Sequence, residues 1–329
     1  MIEVSMATCL VTGVAGFIGS TLARALLAQG DKVRGFDNFS TGKRENLHGI
    51  QDQIELHEAD LLDLDALHHA CRGADYIFHE AAIPSVPRSV KDPVGNNRAN
   101  VDGTLNLLVA ARDAKVKRVI YAASSSAYGD TPTLPKREDM LPNPNSPYAT
   151  AKLAGEYYMS TFYRCYGLET VCLRYFNVFG PRQDPTSPYS GVLAKFISQM
   201  LAGEAPTIFG DGKQSRDFTF VENVVLANLL ACKSKDPEVA GKVFNVATGR
   251  RVDLYETFQI LKTLTGYSGD VKYGPERAGD VKHSLADISR AEKHLGYKAK
   301  VDFEQGLERT VEWYRGSELK LQSAGNSTE

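Results

Sequence analysis

The chain is poor in cysteine, in unbalanced charge and in long apolar runs, and each shortage closes off a class of protein. Its five cysteines, Cys9, Cys71, Cys165, Cys172 and Cys232, are odd in number and widely spaced. They form neither a disulfide framework nor a zinc-ligand pattern, so a reducing cytoplasm is the expected setting and no metal is expected. The seven histidines show no HExxH spacing, and His79, on a strand pattern, reads as a core residue. Net charge is -2, from 38 basic and 40 acidic residues. That balance argues against a dedicated nucleic-acid surface and leaves room only for a local basic patch. No apolar run approaches the ~20 residues of a membrane span, so no membrane partner is expected. The opening "MIEVSMATCLVTG" enters a strand pattern with no basic leader and no cleavage site, so no signal peptide is expected. Repeats and low-complexity tracts are missing too.

What is present is core material. Hydrophobic residues make up 43% of 329 positions, enough for one large or two ordinary domains. In the first half, short apolar runs alternate with helical patterns. "ATCLVT" (7–12), "KVRGFD" (32–37), "QIELHEAD" (53–60), "DYIFHEAA" (75–82), "KRVIYAAS" (117–124) and "ETVCLRYF" (169–176) read as strands bounded by Gly, Asp or Ser. Between them Ile18, Leu22 and Leu26 mark one helix face, and Val94, Val101, Leu105 and Leu108 another. A third helical pattern begins near Tyr148. This alternation predicts an α/β fold, a doubly wound parallel sheet of Rossmann type. Beyond Asn177 it loosens. Residues 1–176 are expected to form a nucleotide-binding domain that also receives parts of 220–250. Residues 177–316 are expected to form mainly a smaller α/β lobe, and 317–329 a frayed tail.

"LVTGVAGFIGS" sets Gly13, Gly16 and Gly19 between a strand and a helix. A tight turn and close approach to a pyrophosphate both need residues without Cβ, and the helix start offers free N–H groups to that anion. Asp37 ends the next strand, where an acid would accept from a ribose 2′-OH and repel a 2′-phosphate, favouring NAD over NADP. Asp60 closes the third strand; it would either meet the adenine or cap the helix "LLDLDALHHA". Ser124, Ser125 and Ser126 stand at a strand tip, the end at which open sheets bind ligands. Pro147 suits a first helical turn, and Tyr148 and Lys152 then share one face as i and i+4. An ammonium beside a phenol lowers the phenol's pKa toward working pH.

Taken together, "VTGVAGFIGS", "AASSSAYGD", "SPYATAK", "RYFNVFGPRQDP", "SRDF" and "RAGDVKHS" resemble the extended short-chain dehydrogenase/reductase family, and within it the nucleotide-sugar 4-epimerases. "SVPRSVKDP" and "RYFNVFGPRQDP" are most similar to epimerases of UDP-N-acetylhexosamines or their uronic acids. The resemblance implies a UDP-sugar substrate, bound NAD and a homodimer. It makes Ser124, Tyr148 and Lys152 catalytic, with Ser126 sharing the hydroxyl role. It places NAD against Gly13, Gly16, Phe17, Ile18, Gly19, Asp37, Asn38, Ser40, Asp60, Leu61, Ala81, Ala82, Asn100, Tyr148, Lys152 and Tyr175. It places the substrate against Ser85, Arg88, Ser124, Ser126, Asn177, Thr207, Phe209, Arg216, Arg277, Asp280 and Ser284. Related dehydratases and decarboxylases carry acids where this chain has Ser125 and Ser126, so with no acid to eliminate water those activities are disfavoured; an intact Ser124, Tyr148 and Lys152 set argues against the other alternative, a non-catalytic NAD-binding regulator. Ala194 departs from the family, which often has Pro there. Apolar residues beyond one core stripe at 92–112 and 148–166, including Leu107, Val109, Tyr157, Met159 and Phe162, point to a four-helix dimer interface. Ser284 would leave room for an N-acetyl group, cap the helix "LADISRAEKHLG", or do both.

Overall fold

The protein is seen here as a computed structural model that describes residues 6–185, 191–276 and 282–325. The first six apolar runs are strands β1 (Thr8–Thr12), β2 (Lys32–Asp37), β3 (Ile54–Glu58), β4 (Tyr76–His79), β5 (Arg118–Ser124) and β6 (Glu169–Tyr175). Four shorter strands follow, β7 (Val178–Phe179), β8 (Thr207–Phe209), β9 (Ser215–Arg216) and β10 (Thr219–Phe220). Then β11 (Lys242–Val246) returns to the main sheet, and β12 (Val252–Asp253) and β13 (Lys272–Gly274) complete the set among the described residues. The main sheet runs β11-β6-β5-β4-β1-β2-β3, with every pair parallel. The chain reverses its direction of travel between β1 and β4, which opens a crevice at the carboxyl ends of those strands.

Helices cover both faces. They are α1 (Phe17–Ala28), α2 (Leu64–Cys71), α3 (Val86–Lys91), α4 (Pro93–Asn97), α5 (Gly103–Asp113), α6 (Pro147–Tyr166), α7 (Val192–Leu201), α8 (Val221–Lys233), α9 (Leu254–Thr265), α10 (Ser289–Leu295) and α11 (Phe303–Gly325). One wide turn, Arg98–Asp102, joins α4 to α5 without breaking the rod. Strand alternation sorts the core. On β5, Ile120 and Ala122 pack with α1 and α8 residues such as Leu22, Leu26 and Val224. Val119, Tyr121 and Ala123 point the other way, to Leu67 of α2, Leu107 of α5 and Met159 of α6. Each such Val, Leu, Ile or Met side chain, fully buried, contributes about 1.5–3 kcal/mol.

The second lobe is made differently. Three two-stranded pieces, β7 with β10, β8 with β13 and β9 with β12, lie among α7, α9 and α11. Aromatic rings join them: Phe218 stacks on Phe303 at 5.2 Å, and Phe179 meets Phe220 and Phe303 edge-on at 5.6 Å each.

Three expectations need correction. The segment read as a frayed tail continues α11 to Gly325, because Glu, Leu, Lys, Gln and Ala are good helix formers and no proline interrupts them. Leu107, Met159 and Phe162 are buried within the chain and cannot form a dimer face. Val109 packs on the same core, while Tyr157 stays exposed. Ser284 does not cap α10; that helix starts five residues later.

Candidate active site

A cleft of about 1230 Å³ opens at the carboxyl ends of the main strands, between sheet and second lobe. Its floor is the glycine loop. Gly13 sits at φ +70°, in the left-handed region, and its N–H donates to the Phe36 carbonyl at 2.7 Å. A Cβ on Gly19 would lie 2.1 Å from the Gly13 carbonyl oxygen, so only glycine lets α1 close on the loop. The start of α1 carries no side-chain cap and no acid in its first turn, leaving its N–H groups and dipole for an anion. Asp37 stands beside the loop, accepting from Ala15 N at 2.9 Å and from Phe39 N at 2.8 Å. Burial pushes its carboxyl up, and those two N–H groups oppose the rise. Asn38 donates to Asp60 at 2.7 Å. Asp60 is not a helix cap: Asp63 caps α2, accepting from Ala66 N at 2.9 Å.

Of the residues assigned to the dinucleotide, all but two line this cleft. Lys152 is buried behind it. Asn100, in the wide turn, braces the loop after β4: its Oδ1 accepts from Ile83 N at 2.8 Å and its Nδ2 donates to Ile83 O at 3.3 Å. It holds the loop and does not itself line the cleft. Of the substrate set, Ser85, Arg88, Ser124, Ser126, Asn177, Arg216 and Ser284 line the same cleft. Thr207 and Phe209 instead line a smaller cavity of about 250 Å³, which shares Asn177 and Arg216 with the first. Arg277 and Asp280 lie outside the described residues. Ser85 also caps α3, accepting from Arg88 N at 3.0 Å. Asn177, at φ +36°, donates to the Asp217 carbonyl at 3.0 Å and to Ser284 Oγ at 3.1 Å. Arg216 donates to the Ser215 and Lys282 carbonyls, each at 3.1 Å.

The reactive hydroxyls meet where β5 ends. Ser126 Oγ donates to Ser124 Oγ at 2.8 Å. Helix α6 begins just there because Ser146 accepts from Ala149 N at 3.1 Å and Pro147 fits the first turn. The Tyr148 N–H donates to Ser89 Oγ at 3.1 Å, tying α6 to α3. Burial pushes the Tyr148 hydroxyl up, and a hydrogen bond with Ser124 pulls it back. The expected lowering by Lys152 is not seen. The ammonium donates to the Ala122 carbonyl at 2.9 Å and lies 4.9 Å from the Tyr121 ring centre. Burial brings Lys152 down to about 8, opposed by Glu80 and then Glu156. His79 is the core residue expected of it, with Thr12 at 2.8 Å and Thr104 at 2.9 Å on its two nitrogens.

Three residues escaped the sequence reading: Ser89, Ser146 and Glu80. Glu80 lines the cleft directly after β4, an acid that the reading of Ser125 and Ser126 did not consider. An acid straight after an apolar strand, at its carboxyl end, was the available signal. The residues present fit a dinucleotide on the structure's own terms: crowded glycines, an uncapped helix start and an acid in reach of both. Asn38, Ser40, Asp60 and Leu61 would hold its adenosine end, and Ala81, Ala82 and Tyr175 the end nearer Tyr148.

Comparison with known proteins agrees. The model of the "NAD dependent epimerase/dehydratase family" matches residues 9–247. A UDP-glucose 4-epimerase of Mycolicibacterium smegmatis is 41% identical over 310 residues, covering 93% of this chain and 98% of that one. A solved UDP-N-acetylglucosamine 4-epimerase from Methanobrevibacter ruminantium M1, in complex with UDP-N-acetylmuramic acid, is 43% identical with a TM-score of 0.91 and covers 95% of this chain and 99% of that one. A Bacillus cereus UDP-glucuronic acid 4-epimerase mutant, bound to a fluorinated UDP-glucuronic acid and NAD, is 33% identical with a TM-score of 0.87 and covers 94% and 99%.

Proposed function

Because this chain belongs to the NAD dependent epimerase/dehydratase family, we propose that it inverts C4 of a UDP-N-acetylhexosamine, interconverting the GlcNAc and GalNAc forms. It is a UDP-sugar 4-epimerase, an isomerase, and its cofactor is NAD. When bound, the dinucleotide accepts a hydride from sugar C4 and later returns it to the opposite face. Tyr148 takes the C4 hydroxyl proton and gives it back. Ser124, with Ser126 donating to it, orients that hydroxyl. The buried Lys152 ammonium keeps positive charge behind the reacting groups. Arg216, shared by both cavities, faces the diphosphate, and Thr207 and Phe209 face the uridine. Tyr148→Phe is expected to keep the dinucleotide while losing turnover.

The sugar assignment rests on Ser284. Its small side chain lines the cleft and is held by Asn177 rather than by a helix end, which leaves room for a 2-acetamido group. Ser284→Tyr is expected to abolish turnover of UDP-GlcNAc and spare that of UDP-glucose. Proportional loss of both would remove the size gate. Arg88 at the cleft favours a 6-carboxylate as the next candidate, and a UDP-sugar panel ranks the two. Dehydration ranks lower, because Ser125 and Ser126 occupy the acids' positions and Glu80 is engaged by Tyr175.

A homodimer fits the exposed apolar residues Val90, Val94 and Tyr157, on α3, α4 and the adjoining α6. Light scattering at micromolar concentration is expected to give twice the chain mass of 36.0 kDa. A monomer there removes the dimer.

A further inference from the structure

Glu80 is a carboxylate that the proton transfers above leave unused. Its N–H donates to the Thr12 carbonyl at 3.2 Å, which fixes it between the ends of β1 and β4. Its Oε1 accepts the Tyr175 hydroxyl at 2.8 Å. That hydroxyl in turn accepts from Asn228 Nδ2 at 2.8 Å. The amide nitrogen can only donate, so the tyrosine proton must point at Glu80. Its Oε2 is buried and has no partner. Glu80 lines the cleft together with Gly13, Ala81, Ser124 and Tyr148. The charge acting on it is the Lys152 ammonium, already committed to the Ala122 carbonyl.

A buried oxygen without a partner asks for an explanation, and a ligand's charge is one. This cleft receives a cofactor whose ring is positive when oxidised and neutral when reduced. Burial pushes the Glu80 carboxyl up to about 7, so a nearby cation would also hold it ionised.

We propose that Glu80 is a positioning residue for the redox step: its carboxylate is the fixed anion that favours the oxidised, positively charged form of the bound dinucleotide over the reduced, neutral one. The proposal rests on the NAD-dependent reading above. In the forward step the sugar C4–H bond breaks and its electron pair leaves with the hydrogen to the ring. The hydroxyl proton goes to Tyr148, and C4 becomes a ketone. The ring loses its charge, and a fixed anion opposes that loss. The resting enzyme therefore stays oxidised, and the ketone is reduced again before it escapes.

The test is an anaerobic reductive titration of the bound dinucleotide, read at 340 nm, on the holoenzyme and its variants. Glu80→Gln keeps shape and the acceptor for Tyr175 but removes the charge. The equilibrium constant for reduction is expected to rise about tenfold, a midpoint about 30 mV more positive for a two-electron couple. Glu80→Asp, which keeps the charge, is expected to hold the wild-type midpoint. Glu80→Met serves as a second neutral variant should the Gln form not fold. Folded, loaded neutral variants with the wild-type midpoint overturn the proposal. So does an equal shift in the Asp and Gln variants, which would trace the effect to packing. A wild-type protein that takes up no NAD, or that fails to invert C4, sinks the underlying reading first and this proposal with it.

Discussion

The two walls of the cleft, proposed above to face the cofactor and the sugar, are built by different means. On the cofactor wall, the glycine loop, Asp37 and Ala81 follow one another through β1, β2 and β4, and their positions are set by strand ends and main-chain bonds. On the sugar wall, Asn177, Arg216 and Ser284 come from separate short pieces, and the bond from Asn177 to Ser284 spans 107 residues. One wall is backbone geometry. The other is an agreement between side chains far apart in the chain. Changes on the first should cost cofactor or fold, and changes on the second should cost substrate affinity alone.

The largest effect is expected at the seam between the walls. Tyr148→Phe should lower kcat by roughly 10²–10⁴-fold with NAD still bound, as loss of a general acid–base group does. Steady-state kinetics with cofactor released on denaturation measures both. A near-normal rate would give the proton to another group.

Next comes a stability signature of the sheet side. His79 is buried neutral, brought down to about 3 against an ordinary 6.5. Below pH 6.5 the unfolded chain binds a proton that the folded chain refuses, so stability falls as pH drops from 6.5 toward 3. The loss attributable to this group is on the order of 4 kcal/mol. Urea titrations across that range should show a steep fall that His79→Gln flattens. Equal slopes in both proteins would contradict the assignment.

Arg216→Ala tests the other wall. It should raise KM for the UDP-sugar roughly tenfold to hundredfold, in keeping with the loss of charge-assisted hydrogen bonds. The melting temperature and NAD affinity should hold. A matching fall in NAD affinity would blur the division between the walls.

The smallest effect is expected at Asp37→Ala, with NAD affinity roughly tenfold weaker and NADP less disfavoured, from loss of the ribose acceptor. Unchanged NAD affinity would leave the carboxylate only its bonds to Ala15 and Phe39.

The same division explains what could be read from the sequence. The cofactor wall was legible because glycine, a strand-end acid and an i, i+4 pair each imply a geometry without knowledge of distant residues. Glu80 carried the same strand-end signal but lacked a glycine loop like the one that, before β2, tells what Asp37 faces. Asn100 shows a related ambiguity: an amide that braces a loop carries the same letters as one that touches a ligand. Leu107, Met159 and Phe162 misled because α5 and α6 pack against the sheet and against each other, which widens their apolar faces beyond a single stripe. On the sugar wall, Ser284 stood in register, but only distant residues show what holds it: Asn177 at its hydroxyl, and Ser215, whose carbonyl accepts its N–H at 3.0 Å.

The return of β11 to the main sheet has a consequence for how the protein is made. Strand β6 pairs with β5 on one side and with β11 on the other, yet β11 comes after the first pieces of the second lobe. While the ribosome works from Tyr175 to Lys242, the outer edge of β6 stands unpaired. At ~5–20 residues per second that interval lasts on the order of 10 s. An apolar edge strand exposed for that long is a template for neighbouring nascent chains. Messages truncated before codon 242 should therefore yield aggregates rather than a soluble nucleotide-binding half, and a chaperone that shields strand edges should raise the yield of full-length enzyme.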